Sequence, residues 1–178
     1  MNSIRFMRET GRGGRVWRMV LLALIFATAM VLAWVENLLP PLPIAVPGVK
    51  FGLSNIAVMY ALFFLGGKEA FALAFLKGLF VLGTRGLVAA SLSLAGGLLA
   101  VLLMLAILRT FKERSTYLGI SIVGAVAHNL GQFAVVTLLY MGISLWFYLP
   151  VLLISGVMAG MLTATMLRFI LPALKKLG

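Results

Sequence analysis

The sequence predicts an all-α protein, a bundle of six transmembrane helices with both termini in the cytoplasm. Three observations point there. Of the 178 residues 63% are hydrophobic, and the mean hydropathy is +1.14, beyond the range of a soluble domain. The apolar residues come in runs close to the ~20 residues that one helical crossing needs. The basic residues, which give a net charge of +11, sit at the ends of those runs rather than along one polar face. That placement is a topology signal, and it argues against nucleic acid as a partner.

The elements follow in order. Residues 1–16 form a basic cytoplasmic segment, and residues 17–174 form a single transmembrane domain. The first span, 17–35, follows a head carrying Arg5, Arg8, Arg12, Arg15 and Arg18. It is long for a signal-peptide core, and Glu36-Asn37 followed by prolines is a poor cleavage site, so it is expected to be retained. The stretch "ENLLPPLPIAVPGVK" holds four of the six prolines, which predicts an extended connection outside the membrane. The second span, 49–65, stops at Gly66-Gly67. The third, 70–83, is short and carries Lys77 in its middle. After Thr84-Arg85-Gly86 the fourth runs to residue 108, and the charged turn "RTFKERS" leads to the fifth, 117–140. The sixth is expected over 145–171, with a bend near Pro150.

A cytoplasmic N-terminus places the Arg-rich head, Lys68, Arg109, Lys112, Arg114, Arg168, Lys175 and Lys176 on one side. Only Lys50 and Arg85 then lie near the outer ends. The bias is the positive-inside pattern of a multi-pass protein of the inner (plasma) membrane, with the lipid bilayer as its solvent.

Polar groups within such spans are costly unless paired, hydrated or bound to something. Lys77 is the clearest case, because a mid-span ammonium costs about 2.5–3.5 kcal/mol on insertion scales. The chain has no Asp and four Glu; of these Glu36 is placed to reach Lys77 from the outer end, so an ion pair and a ligand contact both remain open. On the fifth span, "GAVAHNLGQF" puts His128 and Gln132 on one face with Asn129 beside them. The cluster suits either internal packing or a polar solute. At the start of the second span "VPGVKFGLSNI" brings Lys50 and Asn55 to a helix N-terminus, a place suited to anionic oxygens. Lys50, Lys77 and Arg85 together predict an electropositive outward cavity, unless Lys50 and Arg85 only snorkel to the interface.

Catalytic patterns are missing from the sequence: no Asp-rich magnesium-diphosphate motif, P-loop, nucleophile elbow or carboxylate pair. One His, no Cys and no Asp fall short of a metal site, and no cofactor is expected. Small residues recur at spacings of three and four, among them Ala23 and Ala27, which form an AxxxA pattern on the first span. Such spacing lets helices approach closely, within the bundle or against a partner helix.

The strings "PGVKFGLSNI", "SLSLAGGLL" and "GAVAHNLGQF", in this order, resemble the Gx transporter family, also named heptaprenyl diphosphate synthase component I. The resemblance runs over about residues 36–172. That family looks related to the S components of energy-coupling factor transporters, six-helix membrane proteins that capture small solutes. The resemblance implies a substrate-binding subunit that works with a transmembrane coupling subunit and ATPase subunits, docked through Ala23 and Ala27. The polar residues in and beside the spans, Lys77, His128, Asn129, Gln132, Lys50, Asn55, Arg85 and Glu36, are then the expected substrate-binding residues. A small, anionic solute fits their charge. The synthase name implies instead a non-catalytic membrane component of a prenyl-elongation system, and a structural membrane anchor is a third reading.

Overall fold

The computed structural model describes residues 12–38, 52–111, 115–141 and 145–175, and among them every regular element is helical. These are α1 (Arg12–Leu38), α2 (Leu53–Phe64), α3 (Gly67–Phe111), α4 (Tyr117–Leu139) and α5 (Leu149–Lys175), with a 3₁₀ turn at Trp146–Tyr148 before α5. Lys50 and most of the Pro-rich connection lie outside the described residues.

Four helices are long and apolar enough to cross a membrane, through Val16–Glu36, Gly67–Phe111, Tyr117–Leu139 and Trp146–Arg168. The expectation of six spans is corrected in two places. Helix α2 has only 12 residues, a length of about 18 Å against a hydrocarbon core of roughly 30 Å. The expected third and fourth spans form one 45-residue element, α3, broken at Gly86.

Gly86 is where α3 turns back on itself. Its φ of 82° and ψ of −178° lie in a region of backbone space that glycine alone occupies readily. The two limbs, 67–85 and 87–111, then run antiparallel. Gly67 faces Leu105, Ala74 faces Gly97, and Gly78 faces Leu94, pairs that are symmetric about the break. A straight helix of this length would be about 67 Å long, more than twice the bilayer core.

Other boundaries follow local chemistry. Arg18 on α1 donates to the Leu65 carbonyl at 2.7 Å and pairs with Glu69 at 3.4 Å, fixing the α2–α3 turn. Thr116 caps α4 by accepting from the Gly119 amide at 3.1 Å. Pro150 lies in the first turn of α5, where its missing N–H is no loss, so it starts the helix where a bend was expected.

The core gathers Ala29, Ala61, Leu73, Val101 and Leu167 from α1, α2, both limbs of α3, and α5. Outward faces are apolar as well: Val20, Leu24, Val31 and Trp34 on α1 and Leu102 on α3 are exposed. A surface of this kind is solvated by lipid, not water. The chain is a multi-pass membrane protein.

Candidate functional site

A cavity of about 140 Å³ lies among all five helices. Polar side chains on otherwise apolar helices interrupt a mostly apolar wall. On the first limb of α3, the spacing of Lys77, Val81, Thr84 and Arg85 puts them on one face, and all four line the cavity. Lys77 is 7% exposed, and its Nζ donates to Asn55 Oδ1 at 2.9 Å. Arg85, beside the Gly86 break, is exposed.

Glu36 comes from the end of α1 and is also 7% exposed. Its Oε1 accepts from the Gly52 amide, the residue that precedes α2 in left-handed conformation. Gly52 O in turn accepts from the Asn55 amide at 2.8 Å. Three helices are thus joined by a polar sequence running from Glu36 through Gly52 and Asn55 to Lys77.

On α4, His128 and Gln132 meet as the i, i+4 spacing predicts, with Nε2 to Nε2 at 3.2 Å. His128 fits because Gly96 has no side chain: a Cβ there would lie 2.8 Å from both His128 Nδ1 and its carbonyl oxygen. Asn129 turns the other way. Its Nδ2 donates to Leu152 O at 2.8 Å and to Ser155 Oγ at 3.2 Å, so its amide ties α4 to α5. Asn129, expected beside the face shared by His128 and Gln132, thus turns its amide toward α5, although all three line the cavity.

Seven of the eight residues singled out in the sequence, Glu36, Asn55, Lys77, Arg85, His128, Asn129 and Gln132, border this one space. Lys50, the eighth, lies outside the described residues. Sequence reasoning missed Ser93, Ser121, Thr163, Met59 and Met104, which also line it. A signal was present. Ser93, Gly97, Ala100 and Met104 repeat at spacings of four, three and four, as do Ser121, Gly124 and His128 at three and four, so each set makes a helical stripe.

Ala23 and Ala27 lie far from the cavity wall, on the exposed face of α1 between Val20, Leu24 and Val31.

Residues 25–170 match the family described as Heptaprenyl diphosphate synthase component I. The chain belongs to that family. The match takes in the cavity residues from Glu36 on α1 to Thr163 on α5, and it includes Ala27 but not Ala23. No curated protein and no solved structure matches the chain. For this component I chain the synthase description names one part of an assembly, and with no Asp in the sequence no Asp-rich diphosphate motif is available to it.

Proposed function

We propose that this component I chain is the membrane-embedded substrate-binding subunit of an energy-coupling-factor type transporter, resembling an S component, and takes up a small anionic solute. One observation carries the reading: polar side chains from five helices converge on a single cavity inside an otherwise apolar bundle. A membrane anchor has no need of such a space, and desolvating these groups is costly unless they serve something. The sign of the solute follows from the wall, where among the described lining residues two cations, Lys77 and Arg85, stand with one carboxylate, Glu36.

In this reading both limbs of α3 cross the bilayer and α2 makes a short crossing, giving six crossings with both termini in the cytoplasm. The positive-inside distribution supports that orientation. The partners are a transmembrane coupling subunit, received on the Ala23–Ala27 groove, and ATPase subunits.

The second reading is a non-catalytic membrane component of a heptaprenyl diphosphate synthase system, favoured by the family description. Affinity purification from native membranes separates the two. A coupling subunit and ATPases in the complex support transport; a prenyl synthase subunit, with those absent, overturns it. For the site itself, Lys77→Met is expected to weaken anion binding at least about tenfold, as loss of a buried charge contact does. Lys68→Met, at the exposed turn before α3, is expected to leave binding unchanged. Equal effects of the two substitutions would remove Lys77 from the site.

A further inference from the structure

The cavity changes chemistry along its depth. Contacts between helices fix the levels: Gly97 lies opposite Ala74, Gly96 opposite His128, Gly124 against Met104 and Gly160 against Ile122. Lys77, Asn55, His128 and Ser93 therefore form a middle belt. Arg85, Thr84 and Gln132 lie one to two turns toward the Gly86 end. Met59, Met104 and Ser121 lie one to two turns the other way, and among the described lining residues no charged side chain stands below the Lys77 belt.

The floor has little polarity to offer. Ser121 Oγ donates to Met59 Sδ at 3.1 Å, and Thr163 Oγ1 donates to its own helix at Ala159 O, 2.8 Å away. What remains is methyl, thioether and glycine surface. Methionine side chains are polarizable and adapt to apolar or aromatic groups. The belt is different. Ser93 is only 8% exposed, and its Oγ has no hydrogen-bond partner among the described residues, whereas His128 Nδ1 packs against the Gly96 backbone. Buried polar atoms in native proteins are ordinarily satisfied, and Ser93 lines the cavity, so its hydroxyl is placed to meet a polar atom of a ligand.

Size narrows the ligand further. A volume of about 140 Å³ is close to the ~150 Å³ void that accommodates benzene, so the buried body amounts to about six carbon atoms. A seven-unit prenyl chain could not be contained, and its tail would have to leave the cavity.

We infer that the cavity is built for a short amphiphilic anion. A carboxylate or phosphate head is held near Lys77 and Arg85, polar atoms next to the head meet Ser93, and an apolar or aromatic body of about six carbons rests on Met59 and Met104. This deepens the solute-binding reading above and rests on it.

The test uses the full chain in detergent micelles, with thermal stabilisation and calorimetry against inorganic phosphate, phenyl phosphate and 2-naphthyl phosphate, and benzoate as the carboxylate counterpart. Phenyl phosphate or benzoate is expected to bind at least about tenfold more tightly than inorganic phosphate, because the floor adds apolar burial. Met104→Ala enlarges the floor and is expected to shift preference from the phenyl to the naphthyl ester. Met158→Leu, at an exposed position that does not line the cavity, is expected to keep the wild-type preference, and melting without ligand establishes that each variant is folded. If inorganic and phenyl phosphate bind equally and both depend on Lys77, the floor inference is overturned while the anion site stands. If no probe binds, both fall.

Discussion

Replacing Gly131 by alanine probes the contact that sets the shape of the cavity. The second limb of α3 and α4 cross where Gly96 and Gly131 meet. A Cβ on Gly131 would lie 2.6 Å from the Ala95 carbonyl oxygen and 2.8 Å from the Ala95 carbonyl carbon and Gly96 Cα. Ordinary contact begins near 3.4 Å, so the shortfall is about 0.8 Å. All three atoms are backbone, and no rotamer change can relieve the clash; the helices must separate. Overpacking of this kind costs about 1–3 kcal/mol, offset by the ~0.5–1 kcal/mol that alanine gains over glycine in a helix. A net loss of about 1–2 kcal/mol corresponds to a fall in melting midpoint of roughly 2–8 °C for a chain of this size. Gly83→Ala is the control, because nothing lies within 4 Å of its added Cβ; its midpoint should hold or rise slightly. Intrinsic tryptophan fluorescence during heating in one detergent reads both. Equal midpoints for the two variants would refute the close-approach argument.

Three further outcomes are expected. Ala23→Leu with Ala27→Leu should abolish co-purification of the coupling partner with no more than about 0.5 kcal/mol change in stability, since both positions are exposed; an intact complex would return α1 to lipid contact alone. Because the chain has no cysteine, single cysteines report topology directly. A thiol at exposed Leu87 should label from outside intact cells and one at exposed Phe111 only after permeabilisation, and the reverse pattern would invert the orientation. Glu36→Gln preserves an acceptor for the Gly52 amide and should hold the fold, while Glu36→Ala should lower stability by about 1–3 kcal/mol by leaving buried groups unsatisfied; equal melting midpoints would show that this bond does not organise α2.

The sequence made some features legible and not others, for physical reasons. The fifth span, expected over 117–140, is observed at Tyr117–Leu139 because a threonine cap and an uninterrupted apolar run are local properties. The break at Thr84-Arg85-Gly86 was equally visible, since a positive-φ glycine is a local signal. The shortness of α2 was not: an apolar pattern reports compatibility with lipid, whereas the point at which helix begins depends on Gly52 and its contact with Glu36 sixteen residues earlier. The site shows the same division. Lys77 and His128 stood out because charge or imidazole in an apolar run is conspicuous. Ser93 and Ser121 did not, since a serine in a transmembrane helix ordinarily bonds its own backbone. The direction taken by Asn129 depends on how closely α5 approaches, and that is set by Gly156 and Gly160 against Val126 and Ile122, contacts that no single span encodes.

The two sides of the cavity are held by different forces, and this bears on how a solute could enter. Between the second limb of α3, α4 and α5 the backbones touch through glycine positions, Gly96 and Gly131 on one crossing and Gly160 on the other. Close-packed contact of this kind has no slack, so widening it forfeits dispersion over the whole crossing. Helices α1 and α2 share the apolar core with α3 and carry polar ties besides, Glu36 to the Gly52 amide at one end and Arg18 to the Leu65 carbonyl and Glu69 at the other. These bonds involve few atoms, and a ligand or water can replace a hydrogen-bond partner at little net cost. Lys77 joins the two sides, since it projects from α3 and bonds Asn55 on α2. An anion that drew the ammonium away from Asn55 would act on the hydrogen-bonded side and leave the glycine-packed side in place. The charge proposed to recognise the solute therefore also holds the hydrogen bond between α3 and α2, and a ligand that competes for it would act on the conformation of that contact.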